Sequence, residues 1–211
     1  SNFLINDFLK LNKNITNKNI LDLGCGSGII AISLNNKIKK NKFYGSDLSE
    51  NSILCCKKNF KKFKIKGEVK KGDTFKPWID YKFDFIINDI SGISSIIAKR
   101  SQWFNNVPSS SGDDGTKLTI KIIKESSLYL ATKGKMYLPL ISLSNNKKIL
   151  NIAKKKFKKI KILSDNKWFL PKDMEKNHKL LFKMKEKKHI NFDYKFGKFI
   201  CSTRILELKN N

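Results

Sequence analysis

A carboxylate followed by closely spaced glycines, Asp22-Leu23-Gly24-Cys25-Gly26-Ser27-Gly28, is the stretch of this 211-residue sequence best suited to chemistry. Glycines at a turn let the backbone approach a ligand closely and adopt positive φ without a Cβ clash. The spacing is Gly-x-Gly-x-Gly. A dinucleotide fingerprint needs Gly-x-Gly-x-x-Gly, and the place of its third glycine is held by Ile29. An acid beside such a loop repels a pyrophosphate and suits a cationic ligand. A tight turn that holds no ligand is the other reading of these residues.

Three further acids recur along the chain. Asp47, in Tyr44-Gly45-Ser46-Asp47-Leu48-Ser49, lies 19 residues beyond Gly28. Asp73 lies in Gly72-Asp73-Thr74-Phe75, and Asp89 ends the run Phe83-Asp84-Phe85-Ile86-Ile87-Asn88-Asp89. Asp89 can accept a proton or orient a donor on a substrate, or it can cap the turn at Ile90-Ser91-Gly92.

For these acids to act together, alternating strands and helices must bring them to one edge, and the hydrophobic pattern alternates in that way. Ser1–Leu11 reads as an opening helix, Asn19–Leu23 as a strand, Ile29–Asn35 as a helix and Lys42–Asp47 as a second strand. Ser49 is a good N-cap for the helix that follows, with Glu50 in its first turn and Ile53, Cys56 and Phe60 on one face. Ile65–Lys70 and Phe83–Asn88 are predicted as strands three and four. A helix is expected from Asp114 or Gly115 through Leu130, Gly134 ending that connection, then strand five over Lys135–Leu140. Asn145–Phe157 reads as a helix, Ile160–Leu163 as strand six and Pro171–Lys187 as one more helix. Ile190–Tyr194 and Phe199–Leu208 read as a hairpin with Gly197 at its turn.

Asp22 to Gly28 resembles motif I of the class I S-adenosylmethionine-dependent methyltransferases. The resemblance continues strand by strand from Asn19 to about Leu163. It implies an α/β, Rossmann-like, doubly wound fold: a mostly parallel seven-stranded sheet with an antiparallel C-terminal hairpin strand, in three α/β/α layers. It also implies S-adenosyl-L-methionine as cofactor, bound by Asp22, Gly24, Cys25, Gly26, Gly28 and Leu48 and by Asp47 at the ribose. Asp73 and Thr74 would serve at the adenine, with Asn88 facing the methyl group. Phe75 and Trp78 would either cover the adenine or belong to the core.

Asn88 matches the Asn of the Asn-Pro-Pro-Tyr motif in the branch that methylates exocyclic or amide nitrogens, which includes the release-factor glutamine methyltransferases. In that branch the Asn holds the target NH2, and positioning is most of what the displacement needs. Asn88 and Asp89 are therefore the expected catalytic pair. Asp89, Ile90 and Ser91 replace Pro-Pro-Tyr, which removes the aromatic that stacks on a planar target. Gly112-Asp113-Asp114-Gly115 resembles more loosely the Gly-x-Asp-Gly step of the same branch, and Trp103-Phe104 either supply a substitute aromatic wall or anchor the loop.

The chain reads as a single methyltransferase domain over 1–211. Within it, 1–18 is a helical lead-in, 91–115 a substrate loop long enough to be functional, and 165–211 a C-terminal helix and hairpin. The expected reaction is methyl transfer to a nitrogen of a protein acceptor, such as a glutamine-like amide. RNA or DNA base N-methylation, or a catalytically silent binding subunit, are the alternatives.

The net charge of +26 points at first to a polyanion. The excess, however, consists of 42 lysines beside only Arg100 and Arg204, in a chain with 22 Asn and 27 Ile. Readers of nucleic acid favour the planar fork of arginine, so an AT-rich coding bias accounts for the lysines as readily as a binding face does. Cys25, Cys55, Cys56 and Cys201 lack paired metal-ligand spacing, and the two histidines are distant. No metal site is expected, and a cytoplasmic location is. The apolar stretches are far shorter than the ~20 residues of a membrane helix.

Overall fold

The computed structural model describes residues 1–90, 92–102 and 110–210. Among these described residues, eight strands form one sheet. The chain runs α1 (Asn2–Leu11), β1 (Asn19–Leu23), α2 (Ile29–Asn35), β2 (Lys42–Asp47), α3 (Glu50–Lys62), β3 (Gly67–Lys71) and β4 (Phe83–Asn88), with a 3-10 turn at Lys76–Trp78. It continues through α4 (Ser95–Ala98), α5 (Lys117–Ser126), β5 (Leu130–Ile141), α6 (Asn146–Lys156), β6 (Lys159–Phe169), α7 (Lys172–Glu175), α8 (His178–Glu186), β7 (Asp193–Lys195) and β8 (Lys198–Lys209).

The sheet order is β3-β2-β1-β4-β5-β8-β6, with β7 paired to β8. β3 to β5 are parallel, and β8 runs antiparallel between β5 and β6. The order departs in both directions from β1 and β4, so the strand ends part there and leave a crevice at the carboxyl edge.

β1, β2 and β4 are buried on both faces, so their apolar residues divide by parity between two layers. Ile20, Phe43, Phe85 and Ile87 meet Phe8 of α1, Leu34 of α2 and Phe60 of α3. Leu21, Leu23, Tyr44 and Ile86 meet Ile122 of α5 and Ile149 of α6 on the other face. Each such buried side chain is worth about 1.5–3 kcal/mol. A third cluster, including Ile97, Leu143, Met174, Leu181 and Phe199, packs α4, α7 and α8 beside β8.

The expected strands and helices form, with shifted bounds. Ile65 precedes β3, because its amide closes the turn after α3 by donating to the Phe60 carbonyl. Leu130 opens β5 instead of ending a helix, and Gly134 lies inside that strand. The β4–β5 register shifts at this point, and a Cβ on Gly134 would come within 2.9 Å of the Phe83 carbonyl oxygen. β6 outruns Ile160–Leu163 because β8 pairs with it as far as Ile200 opposite Phe169; polar Ser164, Asp165 and Asn166 lie within it and conceal it from a hydrophobic pattern. Pro171–Lys187 divides into α7 and α8. The hairpin partner β7 is only three residues long, and β8 pairs mainly with β5 and β6.

Candidate active site

β1 ends in the glycine loop, and the backbone there is held rather than slack. The amides of Gly24 and Cys25 both donate to the Ser46 carbonyl, at 2.8 and 3.1 Å. Gly24 lets the loop lie against the end of β4, since a Cβ there would fall 2.5 Å from Cγ1 of Ile90. Gly28 caps α2 with φ +83°, and a Cβ on it would meet the Cys56 sulfur at 2.8 Å. Above Gly26 nothing lies within 4 Å of that position. The loop is thus packed on its inner side and open at its crest.

Asp47, at the end of β2, is fixed by two backbone donors. Its Oδ2 accepts from the Gly26 amide at 3.0 Å and its Oδ1 from the Ser49 amide at 2.8 Å. Each oxygen retains a lone pair for a further donor. Leu48, next to it, is 57% exposed, an apolar surface left at the mouth of the crevice. The Gly72 amide donates to the Asp47 carbonyl, and the Ser46 hydroxyl to the Thr74 carbonyl, which draws the end of β3 into the same edge.

Asp22 is the most unusual group. It is 3% exposed, and neither carboxylate oxygen has a hydrogen-bond partner. Burial first, and then the charge of Asp89, push its pKa well above the ordinary carboxylate value. An unpartnered buried carboxyl is costly, and the deficit is relieved by any ligand that brings an N–H or a cation. This orphaned acid, the open crest of the glycine loop and the exposed Leu48 fit a sulfonium nucleoside with an amino-acid tail.

The other expected residues divide. Cys25 contributes backbone only: its thiol lies between Gly45 and Cys56, and the hydrogen bond to Cys56 together with burial pushes its pKa up, away from reactivity. Asp73 reaches across to α5, where Lys121 Nζ donates to its Oδ2 at 2.6 Å. Thr74 is buried with φ +52°, and its hydroxyl has no partner. Phe75 stacks on Tyr129 at 4.4 Å and Trp78 sits edge-on to Tyr44, so both are core aromatics.

At the end of β4, Asn88 is 1% exposed and its Oδ1 accepts from the Ile90 amide at 3.3 Å. Asn88, rather than Asp89, therefore braces the turn. Asp89 turns its carboxylate toward the Ser1 hydroxyl and a cavity beyond. Ser91, Trp103 and Phe104 lie outside the described residues. Asp114, from the loosely matched step, is structural: burial works to raise its pKa, but hydrogen bonds from Lys148 and Thr116 carry it below the ordinary value.

Sequence reasoning missed two features. One is Lys121, whose link to Asp73 spans 48 residues. The other is the cavity beyond Asp89, whose walls come from both ends of the chain. Among the described residues, no cluster of three His, Cys, Asp or Glu side chains is placed to hold a metal, and no helix is long and apolar enough to cross a membrane.

Residues 1–89 match the family model of the methyltransferase small domain. A release factor glutamine methyltransferase from Streptococcus pneumoniae is 29% identical over 130 residues, 58% of this chain and 46% of that protein. A putative protein N5-glutamine methyltransferase from Methanocaldococcus jannaschii is 26% identical over 151 residues, 70% of this chain and 76% of that one. The chain thus spans about half the length of the first of these relatives. In fold it is similar to the YcgJ protein of Bacillus subtilis, with TM-score 0.63, 12% identity and all of both chains covered. It is also similar to a T. thermophilus 16S rRNA N2 G1207 methyltransferase solved with AdoMet and guanosine, with TM-score 0.60 and 12% identity over 99% of this chain and 42% of that one.

Proposed function

From a chain with the fold of the class I S-adenosylmethionine-dependent methyltransferases, whose residues 1–89 match their small-domain branch, we propose an enzyme that methylates a nitrogen. S-adenosylmethionine, when bound, supplies a methyl group on a positively charged sulfur, open to displacement by a lone pair while the old bonding pair stays on sulfur.

The chain's own residues then have defined tasks. Gly24 to Gly28 admit the cofactor's amino-acid end against the backbone, and Asp22 answers its positive charge. Asp47 accepts from the ribose hydroxyls, preset by the Gly26 and Ser49 amides. Leu48 covers an adenine face, Thr74 offers an unused hydroxyl at the adenine edge, and Asp73 serves there once Lys121 yields one of its oxygens. Asn88 Oδ1 and the Asp89 carboxylate flank the acceptor nitrogen. Asp89 takes the N–H proton on a carboxylate oxygen as the new N–C bond forms.

The unpartnered Asp22 carboxyl carries this reading. Calorimetry with S-adenosylmethionine tests it. Binding in the micromolar range is expected, weakened about tenfold or more in Asp47→Ala, a loss of ~1.4 kcal/mol. No heat at millimolar cofactor, or unchanged affinity in that variant, overturns it. A nitrogen on a protein, such as a glutamine amide, is the acceptor that the branch resemblance favours; the altered Asp89-Ile90-Ser91 step leaves other nitrogen acceptors open.

A further inference from the structure

Beyond Asp89 lies a cavity of about 370 Å3 that no residue of the glycine loop borders. Its walls come from five elements: Phe3 of α1, Pro139 and Ile141 of β5, Trp168 of β6, Met174 of α7 and Ile205 of β8. The Trp168 ring is pinned, because its Nε1 donates to Thr203 Oγ1 at 3.0 Å; a hydroxyl that accepts in this way keeps its own hydrogen to donate. Asp89 supplies the carboxylate of the lining, at the end nearest Asn88, beside Ser1, whose hydroxyl and amino group both lie on its Oδ2, so a further donor comes to Oδ1. Asp89 lies between Asn88, which pairs with Leu23 at the end of β1, and Ile90, which packs against Gly24, so the cavity it lines adjoins the crevice of the glycine loop.

We infer that this cavity is the acceptor pocket and that the acceptor is a small, largely apolar ring compound whose N–H points at Asp89. The inference rests on the methyltransferase reading and narrows its substrate class. Size favours a small molecule, since pockets for such ligands begin at ~300 Å3 and are lined mainly by apolar side chains with a few polar groups that set orientation. The apolar lining disfavours the glutamine amide that the branch resemblance favours, and an RNA base, for different reasons. A glutamine on a peptide carries backbone amides that need partners, and the polar side chains of these walls, among the described residues, are only Ser1, Asp89 and Thr203, at a cost of about 1–3 kcal/mol for each group left unpaired. An RNA base carries ring nitrogens and carbonyl oxygens that need partners, and these mostly apolar walls leave them unpaired. An aromatic amine buries its ring against Trp168, Ile141 and Met174 and spends its one donor on Asp89.

The test is fluorescence titration with 2-aminonaphthalene, with naphthalene as the apolar control, on the full chain. One saturable site per chain is expected, with the amine preferred. Ile141→Trp fills the cavity and should weaken the amine about tenfold or more, with S-adenosylmethionine affinity unchanged. Asp89→Asn should bring the preference for the amine over naphthalene toward one. Phe169→Ala changes an exposed rim residue, so it tests the pocket even if Ile141→Trp fails to fold; it should weaken the amine several-fold. Probe binding that is absent, or indifferent to both wall variants, overturns the pocket while cofactor binding still stands. Loss of cofactor binding in the wild-type chain would instead overturn the methyltransferase reading. With labelled cofactor and a cell extract, label in the small-molecule fraction supports the inference, and label confined to protein or RNA overturns it.

Discussion

The two halves of the sheet treat buried charge in opposite ways. At the end of β1, Asp22 is buried with no partner at all. Across the sheet, Glu207 of β8 is also nearly buried, yet it accepts from the Tyr137 hydroxyl at 2.5 Å and from Lys135 Nζ at 2.9 Å. Asn12, just after α1, donates in turn to the Tyr137 oxygen at 3.1 Å and to the Phe8 carbonyl at 2.7 Å. Burial works to raise the pKa of Glu207, but the Tyr137 and Lys135 hydrogen bonds carry it below its ordinary value; Asp22 goes the other way because no hydrogen bond opposes burial and the charge of Asp89 adds to it. The groups around Glu207 satisfy one another and hold α1 to the sheet. The end of β1 leaves a group unsatisfied where a ligand would complete it.

That contrast can be broken from either side. The largest effect should come from Glu207→Ala, which strands Lys135 and the Tyr137 hydroxyl. The expected loss is about 3 kcal/mol of stability, measured by urea unfolding, with cofactor affinity per folded chain unchanged. An equal loss of cofactor affinity would mean that the two halves are not independent.

Asp22→Asn should do the reverse at a pH above the raised pKa, because it removes the ionisation that burial penalises. A gain of about 1–3 kcal/mol is expected, seen as a Tm rise of roughly 2–4 °C per kcal/mol, together with weaker S-adenosylmethionine binding by calorimetry. A less stable variant would show that Asp22 has a partner in the native protein.

The pH response sharpens the same point. An acid whose folded pKa lies above 3.8 holds its proton in the folded state after the unfolded state has released it. Its contribution to stability therefore falls as pH rises from 3.8 toward the raised value. A ligand that donates to the ionised carboxylate should bind more tightly over that same rise. Thermal melts and calorimetry from about pH 4 to about pH 8 should show opposite slopes, both flattened in Asp22→Asn.

The smallest effect belongs to Lys121→Ala. Its pair with Asp73 has side chains 37% and 31% exposed, so the stability change should stay below about 1 kcal/mol. Cofactor affinity should hold or improve as Asp73 is released. A clear loss of affinity would make Lys121 part of the binding edge.

Much of the fold was legible because strand and helix periods are local. Ile53, Cys56 and Phe60 all face the core as their spacing implied, and Ser49 caps α3 by accepting from the Ser52 amide at 3.3 Å. The misjudged bounds lie where pairing overrides pattern. β6 continues through polar residues because β8 supplies hydrogen bonds there, and Leu130 becomes a strand because β4 lies beside it.

By itself, the sequence determined the glycine loop, the acids Asp22, Asp47, Asp73 and Asp89 at successive strand ends, and an alternation that brings those ends to one edge. These are local properties: positive φ at glycine, period and turn chemistry. Only the tertiary structure decided the environment of each acid. Asp22 is left alone, Asp47 is tied to Gly26 and Ser49, Asp73 is drawn to Lys121, and Asp89 faces a cavity closed by Trp168 and Met174. Partners at such separations are chosen by how layers pack, and a carboxylate's protonation and reach follow from those partners rather than from its neighbours along the chain.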